Sequence, residues 1–171
     1  MALELNGTTG VSLVQDGVIT DANLPAGSVL QVVNATYATE VSSSSSTYAD
    51  IGLTATITPT SATSKILVLI NLAGCGKNTS DTRLATRLIR GATEIVKMDS
   101  TSGANASSTQ HIFGSVSTSF LDSPSTTSAT TYKVQFASTA NTAGVIVNAY
   151  TGGSFGVDSS TSTITLMEIA G

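Results

Sequence analysis

Nine short runs of apolar and β-branched residues recur along this chain, each closed by a cluster of Gly, Ser, Asn or Pro. A helix core needs an apolar stripe at a 3.6-residue period over ten or more residues. Short runs bounded by turn residues are instead the pattern of strands in a sandwich or barrel. The runs span 29–37, 48–58, 65–72, 83–90, 93–98, 112–120, 131–137, 145–150 and 161–169. Thr is abundant in them, and its branched Cβ suits a pleated surface. The cleanest alternation is "TYKVQF", which sets Tyr132, Val134 and Phe136 on one face and Lys133 and Gln135 on the other. The expected fold class is all-β, a jelly-roll-like antiparallel β-sandwich.

A chain of 171 residues suits one such core. Residues 1–27, with weak alternation and several glycines, read as an N-terminal arm for attachment or trimerisation, and 28–171 as the head domain. The serine-rich "VSSSSSTY" and the "MDSTSGANASSTQH" segment lack periodicity and read as exposed loops.

Composition narrows the functional classes. Charged residues are 11% of the chain and the net charge is −4, a field that opposes a phosphate backbone, so no nucleic-acid partner is expected. Ser and Thr supply roughly three residues in ten, well above average usage, so hydroxyls rather than charges dress the surface. No apolar run has the length of a membrane span, and the N-terminus lacks a signal-peptide pattern, which reads as a soluble protein without membrane insertion. A single cysteine, Cys75, excludes an internal disulfide and any multi-cysteine metal site.

The stretch "KILVLINLAGCGKNTSDTRLATRLIR" raises the question of a phosphate-binding loop. Such a loop needs Gly, four residues and then Gly-Lys-Ser/Thr. Here Asn78 follows Gly76-Lys77, and Asn71 stands where the first glycine belongs. Gly91 also lies between two strand-like runs, as in a hairpin. The expectation is therefore a strand ending in a sharp glycine turn at Gly74 and Gly76, with Lys77 a solvated loop charge. His111 is the only histidine and no nucleophile elbow accompanies it. Asp99, Asp122 and Asp158 are read as loop residues without calcium-loop spacing. No catalytic residue, metal ligand or cofactor is assigned, and no enzyme activity is expected.

In "KILVLINL" both faces are apolar, and in "STITLMEIAG" Ile164 and Leu166 oppose Met167 and Ile169. Strands apolar on both sides need cover from beyond their own sheet pair. Leu67, Leu69, Ile164, Leu166, Met167 and Ile169 are accordingly the candidate interface with a neighbouring subunit. Leu3, Leu5, Val11 and Leu13 are candidate docking residues toward a neighbouring protein, by strand addition. The candidate ligand-binding loops contain Asn78, Asp81, Asn105, His111, Tyr150 and Phe155. Arg83, Arg87 and Arg90 form the one basic cluster. Pairing with Asp81 or Glu94 is the modest explanation for it, and recognition of an acidic sugar the sharper one.

The segments "SKILVLINLAG", "TRLIRGATEI", "SFLDSPSTTSATTYKVQF" and "STITLMEIAG" together resemble the C-terminal head domains of bacteriophage tail-fibre and related virion proteins, common in marine and environmental phages. The resemblance spans about Gly27 to Gly171. It implies a jelly-roll-like head similar to tumour-necrosis-factor-like trimers, a homotrimer with the candidate interface residues between its copies, docked on other virion proteins and touching host surface polysaccharide or protein. The alternatives are a capsid-decoration protein docked by residues 1–27 and, further off, a glycan hydrolase.

Overall fold

The computed structural model describes residues 24–104, 111–140, 144–149 and 160–171. Ten strands occur among them: β1 Val29–Tyr37, β2 Val41–Ser43, β3 Ala49–Ile57, β4 Lys65–Lys77, β5 Arg83–Arg90, β6 Thr93–Ser102, β7 His111–Asp122, β8 Thr130–Thr139, β9 Val145–Val147 and β10 Ser162–Ile169. All pairings are antiparallel. One sheet runs β1-β10-β4-β9-β2 with β7 on β4, and the other runs β3-β8-β5-β6. The chain is all-β and forms a sandwich consistent with the jelly-roll-like architecture.

Period-two alternation decides what each strand contributes to the space between the sheets. β3 buries Ile51, Leu53, Ala55 and Ile57, and β8 buries Tyr132, Val134 and Phe136. Facing them are Ile66, Val68, Ile70 and Leu72 of β4 and Ile164 and Leu166 of β10. Ile164 and Leu166 are fully enclosed within the single chain, which corrects their assignment to a subunit interface. Counting apolar residues in a strand does not say which face is inside. Register does: Leu166 stands opposite Val68 on one side and Val33 on the other, all three pointing into the sandwich.

The glycine segment after "KILVLINL" is not a turn. β4 continues for 13 residues through Gly74 and Gly76, and its register with β7 shifts on both sides of Cys75. Gly74 takes a φ of 56°, and a Cβ there would lie 2.6 Å from the Ala149 backbone nitrogen. The glycine therefore bulges the strand and admits a close backbone approach. The Ala149 N–H donates to the Gly74 carbonyl at 3.0 Å. Lys77, expected to be a solvated loop charge, is the last residue of β4 and fully buried.

Other differences have similar causes. The serine run contains β2, a short strand paired with β9. β6 runs on to Ser102 because its bulged pairing with β5 is supported by Asp99, whose carboxylate accepts from the Thr101 and Ser102 N–H groups at 2.7 and 3.0 Å. Asp99 and Asp122 thus belong to strands rather than loops; Asp158 lies outside the described residues. β9 stops at Val147 because Asn148 adopts a φ of 57°. Gly52, at a φ of 93°, leaves room for the Tyr37 ring, which a Cβ would approach within 2.5 Å.

Leu166→Ala opens a cavity in the middle of this core. The expected loss is about 2–5 kcal/mol, read as a lower urea midpoint with an unchanged slope; a loss below about 1 kcal/mol would contradict the inward register of β10.

Candidate functional site

The outer faces of the two sheets differ in chemistry. On the four-stranded sheet, Arg87 of β5 donates from Nε and Nη2 to Gln135 Oε1 of β8 at 2.9 and 2.7 Å. Its Nη1 pairs with Glu94 of β6 at 2.8 Å, and its guanidinium lies 4.0 Å over the Tyr48 ring. Gln135 Nε2 donates to Asp50 Oδ1 at 2.6 Å, and Lys133 Nζ reaches Asp50 Oδ2 at 2.8 Å. The Lys133 bond holds the Asp50 carboxyl below its usual range. This face is a charge-balanced network across four strands. Covering it would strip water from four charges, a cost that pairing only partly offsets.

Among the described residues the outer face of the six-stranded sheet carries no such network. Register sets Val32, Met167, Leu67 and Leu121 directly opposite one another on β1, β10, β4 and β7. Val32 is 56% exposed and Leu121 is 49% exposed, while Met167 and Leu67 between them are half-buried. Leu69 and Ile169 flank this row on the same face, also half-buried, and Val29 pairs with Ile169. Toward the other end the face turns polar: Asn34 Nδ2 donates to Thr165 Oγ1 at 2.8 Å, and Ser117 Oγ donates to Asn71 Oδ1 at 2.7 Å. Four of the six predicted interface residues, Leu67, Leu69, Met167 and Ile169, therefore share this outer face. Val29, Val32 and Leu121 extend it. The sequence signal for Leu121 was available in the alternation of "SVSTSFLD", whose inward members are Val116, Thr118, Phe120 and Asp122.

The sandwich also has two distinct ends. At one end β1 begins, β4 begins and β10 finishes. There the Gly27 N–H donates to the Ala170 carbonyl and the Ala170 N–H to the Ser28 carbonyl, both at 2.8 Å. The inward row at this end is Gln31, Glu168, Ile66 and Asp122. Each carboxylate is met by its own donors. Asp122, only 7% exposed, accepts from the Tyr132 hydroxyl at 2.6 Å and from Arg90 Nη1 at 2.7 Å. Burial, with the Asp122 bond added, pushes the Tyr132 hydroxyl far up. Glu168, fully buried, accepts from Gln31 Nε2 at 2.6 Å and from the Thr60 N–H and hydroxyl at 2.7 and 2.8 Å. Burial raises the Glu168 carboxyl, but these donors outweigh it and hold the group below its usual value near 4.5. Neither cluster was anticipated from the sequence.

At the opposite end β4, β6 and β8 finish and β9 begins. Lys77 pairs with both His111 and Val145, and the Asn78 N–H donates to the Gly144 carbonyl at 3.0 Å. Asn78 and Asp81 are exposed there, Asp81 at a φ of 58°. Of the predicted ligand-loop positions, Asn78 and Asp81 follow β4 at this end, whereas His111, expected in a loop, is the first residue of β7 because its backbone pairs with Lys77. Asn105, Tyr150 and Phe155 lie outside the described residues, as do Leu3, Leu5, Val11 and Leu13. Beneath this end, Asn148 Oδ1 accepts from the buried Ser162 hydroxyl at 2.6 Å and its Nδ2 donates to the Thr39 carbonyl at 3.1 Å. Cys75 is buried, and burial pushes its thiol up to about 11, so it is inert at neutral pH. Among the described residues no three His, Cys, Asp or Glu side chains converge as metal ligands.

No family model matches this chain, and no curated protein matches it.

Because the folded Glu168 carboxyl titrates below the unfolded one, its contribution to stability is complete above the unfolded value and disappears as pH falls through the folded value. Thermal unfolding of the parent and of Glu168→Gln from pH 7 to pH 3 checks this. The parent should lose its advantage over the variant on acidification, and a constant difference would refute the carboxylate's role.

Proposed function

We propose that this chain is a non-enzymatic structural protein of a phage virion, a homotrimeric fibre or spike head whose sheets pack copy against copy and whose far-end loops meet the host surface. The observation that carries the assembly is the row Val32, Met167, Leu67 and Leu121, four apolar side chains in register across four strands with two of them about half exposed. Withdrawing that row from water favours association, at roughly 25 cal/mol for each Å² of apolar surface. The opposite sheet bears a network of charges, so this face is the one a second copy would cover. The polar strip beside the row supplies Asn34, Thr165, Asn71 and Ser117 for directional bonds that set how copies align.

The separation of the two ends supports the remainder of the reading. The described chain starts at Leu24, beside the end where Gly27 and Ser28 are tied to Ala170, and this is the end we assign to attachment. The β4–β5 connection containing Asn78 and Asp81, and His111 at the start of β7, sit at the other end. Loops rich in Ser, Thr, Asn and Gly suit weak hydrogen-bonded recognition, which three linked copies multiply by avidity.

Light scattering on the purified chain should return three times the 17.2 kDa chain mass. Leu67→Asp, placed in the middle of the apolar row, should reduce this to one chain mass while leaving the far-ultraviolet spectrum of a β protein unchanged. A monomeric parent would end the assembly reading. Antibody labelling of intact particles tests the virion assignment separately: signal at the tail supports the fibre-head role, signal over the capsid transfers the chain to decoration, and particles without signal reject both.

A further inference from the structure

Two of the three arginines grouped by sequence, Arg87 and Arg90, have separate fates. Arg87 is consumed by Gln135, Glu94 and Tyr48. Arg90 is held by Nη1 on Asp122, with the Tyr132 hydroxyl beside it. Asp122 cannot drift, because it is buried and also takes the Tyr132 hydroxyl. The guanidinium is thereby fixed in place while most of its five N–H donors make no hydrogen bond among the described residues. Arg90 lines an open pocket of about 340 Å³ together with Pro124, Thr126, Ala129, Thr130 and Thr131. The Gly91 N–H donates to the Thr131 carbonyl at 2.9 Å, which ties the β5–β6 turn to the start of β8.

We propose that this pocket binds a single acidic sugar residue, a hexuronate or a sugar acid of similar size, with its carboxylate on Arg90. A guanidinium whose edge is unspent matches a carboxylate with two parallel bonds, which a point charge such as lysine cannot reproduce. The threonines supply the rest of the recognition. Thr126 Oγ1 accepts from the Ser128 N–H at 3.0 Å and keeps its own O–H to donate. Thr130 Oγ1 donates to the Ser128 carbonyl at 3.0 Å and keeps its lone pairs to accept. Hydroxyls offering both roles fit the alternating donors and acceptors of a sugar ring. Pro124 and Ala129 give the pocket apolar wall for the ring's C–H faces. A bare inorganic anion would use the guanidinium alone, and a neutral sugar would leave it unmatched. The net charge of −4 opposes any anion at long range. Binding at one site is therefore weak, in the millimolar range typical of a few net hydrogen bonds. The inference is independent of the trimer, since every residue of the pocket comes from one chain.

The test is a titration of the whole isotope-labelled chain with D-glucuronate, D-glucose and sulfate, followed by amide shifts in nuclear magnetic resonance. Glucuronate should move the amides of Gly91, Thr126 and Thr130 saturably, with glucose and sulfate each at least about tenfold weaker. Arg90→Lys retains a cation for Asp122 but loses the planar fork, and should weaken glucuronate binding at least about tenfold. If that variant does not fold, Thr126→Val, on an exposed turn, should weaken glucuronate several-fold. Four results would overturn the proposal: no saturable shift with glucuronate, equal binding of glucose, equal binding of sulfate, or wild-type affinity in whichever of the two variants folds.

Discussion

β4 is apolar on both faces, and the rest of the molecule is arranged around that fact. Its inner face, Ile66, Val68, Ile70 and Leu72, meets the opposite sheet and forms the middle of the core. Its outer face places Leu67 and Leu69 between β10 and β7, where they are only half covered. An antiparallel sandwich ordinarily shows water a polar outer face, and the other sheet does so with its Asp50, Gln135, Arg87 and Glu94 network. The molecule therefore has one face made for water and one whose lower half is not.

The two buried carboxylates give that asymmetry a mechanical setting. Asp122 and Glu168 occupy the inward row immediately beside the outward apolar row, on strands β7 and β10 that both contribute to it. A carboxylate inside a sandwich is tolerated only when donors surround it. Arg90 and Tyr132 come from the opposite sheet to meet Asp122, and Thr60 comes from the β3–β4 connection to meet Glu168. These bonds clamp the sheets together at the end where Gly27 and Ser28 join Ala170. Rigidity there benefits both proposed roles: a fixed apolar row can match a copy of itself, and a fixed Arg90 can present its unspent donors without losing conformational freedom on binding.

How much was legible beforehand follows from what each signal depends on. Strand identity was legible because alternation is local, and β1 and β5 begin and end where their apolar runs do. The phosphate-loop reading was rejected correctly, since Arg83–Arg90 is a strand. The glycine segment was misread because a bulge and a turn use the same residue, and only the partner strands β7 and β9 distinguish them. β2 was missed because Ser42 and Ser43 have little intrinsic strand character and are held by pairing with β9. Half of the arginine problem was visible: the Arg87–Glu94 pair follows from hairpin geometry, whereas Arg90 with Asp122 needed the sheets to close.

The amino-acid sequence by itself determined the all-β class, most strand positions, the absence of disulfide support and the double-sided character of β4, because composition and period-two alternation act over a few neighbouring residues. Tertiary structure decided which side of β10 faces inward, that Lys77 is buried, that Val32 and Leu121 join Met167 and Leu67 in one row, and that Asp122 anchors Arg90. Each of those depends on register between strands distant in the chain. A shift of one residue would exchange inner and outer faces, and the packing energy of the whole sandwich, rather than any local preference, selects the register.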